Sequence, residues 1–287
     1  ASAWVMVMIT ALSQHIAITT NRPRLGALVF AGPGLGVMLT GLLALAANLT
    51  GQGSATLWMI YAVAALLMLL LILPALPQPA ALAAQPQTTQ PNSRQPGIAR
   101  LGAIYGLYGL GYIIPATFLS QMANARFHGQ WQADLFWPAF GLCAAIGVVL
   151  ISFRRPHPGT TRFWLMGGLW IQALGVLACL LPSSAGLALG VILCGTPFLA
   201  CMPLVMQRSR DLAPHATARN AALLTACFAV GQLSGPLLAA LSSHFSGGLQ
   251  PALAIAASGL LIAGVLAWQS VSSPAERALC DAPTARH

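Results

Sequence analysis

The chain contains no lysine and only four acidic residues, Asp134, Asp211, Glu276 and Asp281, so charged side chains make up 6% of its 287 residues. Soluble domains carry about 25%, and a surface this poor in charge excludes one that meets water throughout. The hydrophobic share of 57% and a mean hydropathy of +0.77 exceed what one core can bury, which makes lipid the solvent for much of the exterior. Metal-ligand spacing is missing as well: the six cysteines form no CxxC and no Cys/His cluster. Cys143, Cys179, Cys194, Cys201 and Cys227 fall in apolar runs and read as small packing residues, with Cys280 in the tail. No GxSxG, HExxH or Walker-type loop occurs, and no two carboxylates share an apolar run. An enzyme, a metal centre and a bound cofactor are therefore not expected.

Basic residues are present, as thirteen arginines that give a net charge of +9. On a soluble chain this would suggest nucleic acid, but the arginines form no patch and fall in short gaps between long apolar runs. Nine such runs, near 1–19, 25–49, 55–76, 100–123, 132–153, 162–182, 185–206, 219–242 and 249–271, are each long enough to cross the bilayer as a helix. They are continuously apolar rather than alternating, which favours helices over a barrel. Counting alternate gaps, Arg22, Arg24, Arg94, Arg100, Arg154, Arg155, Arg162, Arg208, Arg210, Arg219, Arg277 and Arg286 share one side, and Arg126 stands alone on the other. By the positive-inside rule the first side is cytoplasmic, with the C-terminal tail, 273–287, on it. The gap 77–99, rich in Pro, Gln and Ala, reads as a cytoplasmic linker between three spans (1–76) and six (100–272). The absence of lysine beside abundant Ala, Gly and Arg is associated with GC-rich bacterial genomes, which points to a bacterial inner membrane.

Two segments hint at an internal repeat. Arg24 is followed twelve residues later by Gly36, within Ala31–Gly36, and Arg219 twelve residues later by Gly231, within Gly231–Pro236. With ASAWVMVM (Ala1–Met8), LVFAGPGLGVMLTGLL (Leu28–Leu43), YGLYGLGYIIPATFLSQMA (Tyr105–Ala123) and LFWPAFGL (Leu135–Leu142), the chain resembles the major facilitator superfamily, in its YbfB/YjiJ-like branch. That resemblance implies an all-α polytopic bundle of two six-helix halves, here arranged three plus six and lacking the family's first three helices. It implies a secondary transporter of a small organic solute, working by alternating access as a monomer, with a coupling proton as a further partner. A membrane sensor, or a truncated and inactive transporter, is the alternative. Gly32, Pro33, Gly34 and Gly36 keep the family's GP-x-x-G core, while Val37 replaces a further glycine.

Several residues stand out for chemistry. Tyr105, Tyr108 and Tyr112, at i, i+3 and i+7, form a stripe that either contacts solute or packs the helix. Gly102, Gly106 and Gly109 beside them would admit a close neighbour, and Pro115 would kink the helix. Thr117, Gln121, Trp137, Thr196 and Gln232 are further candidates for the cavity; each polar one alone, like Thr40 and Thr225, reads first as a helix–helix hydrogen-bonding group. Gly231, Gly235 and Pro236 are candidate joints for gating. Asp134 is the one carboxylate within a span, a candidate proton or cation site, or else a complement to a helix N-terminus that pairs with Arg126. So few charges favour an uncharged or amphipathic solute.

Overall fold

Residues 28–75, 96–128, 130–154 and 159–269 are described by the computed structural model. They form eight long helices: α1 (Ala31–Leu49), α2 (Ser54–Ile72), α3 (Pro96–Phe127), α4 (Phe136–Ser152), α5 (Thr161–Ala178), α6 (Ser184–Leu212), α7 (Thr217–Ser246) and α8 (Gln250–Trp268). Among the described residues there is no strand. The expected span at 1–19, nearly all of the linker and the tail lie outside these residues. Seven of the eight helices are long and apolar enough to cross a membrane. The expected span at 162–182 is the exception, because Arg162, Gln172 and two tryptophans dilute the apolar content of α5.

Local chemistry sets the helix ends. Pro96 opens α3 at the position where a missing N–H costs nothing, so this helix begins four residues ahead of the expected boundary at 100. The Ser183 hydroxyl caps α6 by accepting from the Gly186 N–H at 2.9 Å. Gly247, at φ +71°, closes α7 in the left-handed conformation. The turn between α3 and α4 places His128 at φ 52° and runs through a 3-10 segment, Trp131–Leu135.

α3 and α6 form the centre, with 61% and 67% of their most apolar windows buried, whereas α2 has none of its window buried. α3 packs on α7 and α8, α6 on α4 and α5, α5 on α8, and α1 on α4. Glycines permit the tightest approaches. A Cβ at Gly231 would lie 1.9 Å from the Gly106 carbonyl oxygen, and one at Gly109 would lie 2.4 Å from that of Phe228, so α3 and α7 touch backbone to backbone. Across α1 and α4, a Cβ at Gly34 would sit 2.7 Å from the Ala145 nitrogen, and one at Gly141 would sit 2.5 Å from that of Met38.

Bonds between helix ends confirm the up-and-down course. Asn48 of α1 donates to Asp134 ahead of α4 at 2.6 Å, and Arg126 of α3 donates to the Pro182 carbonyl after α5 at 3.0 Å. At the opposite end Arg100 donates to the Gln269 carbonyl, and Arg154 donates to Gln207 at 2.7 Å. Every described arginine except Arg126 therefore lies at one end of the bundle.

Candidate functional site

Three of the four tyrosines come from one helix because their spacing of three and four residues keeps them on one flank of α3, next to the glycine face that meets α7. Phe228 of α7 fills the gap: its ring centroid is 4.7 Å from Tyr105, 5.7 Å from Tyr108 and 5.5 Å from Tyr112. Tyr112 also meets Phe198 of α6 at 4.6 Å, Phe198 meets Phe140 of α4 at 5.3 Å, and Phe140 stacks on Trp137 at 5.9 Å. A continuous aromatic layer thus ties α3, α7, α6 and α4 together, at separations where each pair contributes roughly 0.5–1.5 kcal/mol beyond its buried area. Tyr112 stands at the middle of α3, sixteen residues after Pro96 and fifteen before Phe127.

The layer is closed. Tyr105, Tyr108 and Tyr112 are exposed by 3%, 0% and 6%, so in this conformation the stripe is packed and does not line an open cavity. The Tyr108 hydroxyl donates to the Phe198 carbonyl, in the stretch of α6 between Pro197 and Pro203 where the helix lacks two backbone donors. α3 runs through Pro115 as one helix.

The other singled-out residues are spread around this layer. Trp137 and Gln232 are half-buried, and the Gln232 backbone nitrogen lies 3.2 Å from where a Gly109 Cβ would be. Thr117 and Gln121 are exposed further along α3. Thr196 is half-buried and bonds its own helix, donating to the Ile192 carbonyl at 2.8 Å; Thr225 and Thr40 do the same with Ala221 and Gly36. The hydroxyls expected to bridge helices are therefore satisfied within one. Asp134 lies in the 3-10 segment before α4 and bonds Asn48, while Arg126 bonds Pro182.

Among the glycines, Gly34 makes the close contact expected of the Gly-rich run, but a Cβ at Gly32 or Gly36 would meet nothing within 4 Å. A Cβ at Gly102 or Gly106 would lie 3.1 or 3.2 Å from Cys227, and one at Gly235 would lie 2.1 Å from the Ile113 side chain, beside the exposed Pro236. Phe140, Phe198 and Phe228, and the contact glycines Gly41 and Gly141, were not among the sequence candidates. Their signal was faint: Gly41 lies seven residues after Gly34, a helical repeat, and Phe228 lies three residues before Gly231.

At the arginine end, burial pulls the Arg154 guanidinium down from its ordinary value while the Asp211 charge opposes that shift. Among the described residues no group of three metal-ligating side chains occurs.

The family model described as "Uncharacterised MFS-type transporter YbfB" matches residues 1–268. The chain belongs to this family. Its members are MFS-type transporters. Among solved structures, the crystal structure of the human organic anion transporter MFSD10 (TETRAN) shares the fold with a TM-score of 0.57 and 19% identity, over 92% of this chain and 76% of that one. No curated protein matches.

Proposed function

We propose that this MFS-family chain is a secondary active transporter of a small organic solute, working by alternating access in a bacterial inner membrane with the arginine-bearing helix ends in the cytoplasm. The observation that carries this reading is the aromatic layer. It joins four helices halfway along α3, where transporters of this architecture place their solute, and its members carry no charge. An apolar, ring-lined wall of this kind favours an uncharged or amphipathic solute with an aromatic or aliphatic body, held by stacking and by the polar edge of Gln232 and Trp137. Tyr112, Phe198 and Trp137 are the contact residues once the packed layer parts. The closely packed α3–α7 and α1–α4 pairs act as the joints on which the helices rock. Twelve arginines against one favour the stated orientation.

Asp134, hydrogen-bonded to Asn48 at the far end of the α1–α4 contact, is the candidate proton site. The test is counterflow into proteoliposomes with a panel of neutral, cationic and anionic aromatic solutes. The expected result is saturable uptake of a neutral or amphipathic solute, lowered about tenfold by Trp137→Ala or Phe198→Ala, a loss of roughly 1.4 kcal/mol in transition-state stabilisation. Asp134→Asn should keep counterflow and lose dependence on a pH gradient. Correctly folded protein that gives no saturable counterflow with any member of the panel rejects transport.

A further inference from the structure

The arginine-bearing end holds a cleft that solute transport through the aromatic layer does not use. It lies between α3, α5, α6 and α8, on the side of α3 opposite its glycine face, and its enclosed space is small, about 10 Å³, room for one water-sized group. Three arginines from three helices line it: Arg100 of α3, Arg162 of α5 and Arg208 of α6. Ile104, Leu165 and Ala267 supply an apolar wall, and no acidic residue is in the lining.

Arg208 is 1% exposed, and the Arg162 Nε is buried with no hydrogen-bond partner. The planar Arg162 group lies over the Phe163 ring at 4.8 Å, which holds its fork in place. Arg100, half-buried at the start of α3, reaches the Gln269 carbonyl at the end of α8 with one of its donors and retains others. At this end of the bundle the described residues place six arginines, Arg100, Arg154, Arg162, Arg208, Arg210 and Arg219, against Asp211 alone, an excess of five positive charges. Charge is expensive so close to hydrocarbon, and guanidinium donors from separate helices converging on one cleft match the tetrahedral oxygens of a phosphate.

We propose that this cleft binds a phosphate-bearing anion, either the headgroup of an acidic phospholipid in the adjoining leaflet or free phosphate. The cleft is narrow, so one phosphate oxygen enters between the guanidinium groups while the rest of the group stays at the mouth. A lipid would then lay its glycerol and upper acyl chain on the apolar wall. Because the three arginines belong to α3, α5 and α6, the anion also ties the centre of the bundle to its rim.

The experiment is thermal unfolding of the purified full chain in neutral detergent with phosphatidylglycerol, phosphatidylcholine or inorganic phosphate added. Phosphatidylglycerol is expected to raise the Tm by at least about 3 °C over phosphatidylcholine. Arg162→Gln and Arg100→Gln should each remove more than half of that gain, and Arg126→Gln, at the opposite end, should keep it. Arg208 is too buried to substitute safely, so the test rests on the other two. Stabilisation by inorganic phosphate with the same arginine dependence also supports the site and names the free anion as its source. Equal shifts with both lipids and none with phosphate, or a full gain retained in the Arg100→Gln/Arg162→Gln double variant, overturns the proposal.

Discussion

Tyr108 is wholly buried in a bundle whose exterior is apolar, and its hydroxyl has its partner in the Phe198 carbonyl of another helix. Tyr108→Phe removes that bond and keeps the ring, so the expected cost is about 1 kcal/mol, read as a small fall in thermal stability. Tyr108→Ala removes the ring contacts as well and should cost roughly 3–5 kcal/mol, enough to abolish a folded peak in detergent. The tyrosine stripe is legible in the sequence because tyrosine is rare there and its spacing is helical. Its partners are not: Phe198 and Phe228 are apolar residues among apolar residues, and only tertiary contact distinguishes them from their neighbours. Threonines read from sequence as bridges turn instead to their own helix carbonyls, a partner one turn away that costs no search.

At the scale of the element, hydropathy marks the described helices well, because any backbone in lipid has to close its own hydrogen bonds. It misplaces their ends: α6 and α7 run to Leu212 and Ser246, beyond the expected 206 and 242, since polar residues continue a helix past the hydrocarbon. Which glycine matters is harder to read. The Gly32–Gly36 run draws the eye, yet contact is made at Gly34 and seven residues on at Gly41, the two that return to the same face. Gly231→Val would drive a side chain into the Gly106 carbonyl and force α7 away from α3, costing about 1–3 kcal/mol or more. Gly36→Ala meets open space and should stabilise α1 by roughly 0.5–1 kcal/mol. Paired melting curves of these two variants, moving in opposite directions, check the packing of both helix pairs.

For the whole molecule, the alternating course of the helices gathers the described arginines, Arg126 excepted, at one end. With the orientation proposed above, single cysteines introduced at Thr217 and Asn124, in a background without the native cysteines, should label from opposite sides with an impermeant maleimide, the first only after the cytoplasmic face is opened. The class of fold and the orientation rule follow from composition and charge alone, which is why they are readable without coordinates. The arginine cleft is not, because its three side chains come from three separate helices, spread over positions 100 to 208, and meet only when α3, α5, α6 and α8 pack together. α2 stands apart from all of this, with no part of its apolar window buried and its firmest tie the Tyr61 hydroxyl bond to the Thr40 carbonyl. Losing that one hydroxyl, as in Tyr61→Phe, would therefore loosen α2 from α1 without disturbing the packing around α3 and α6.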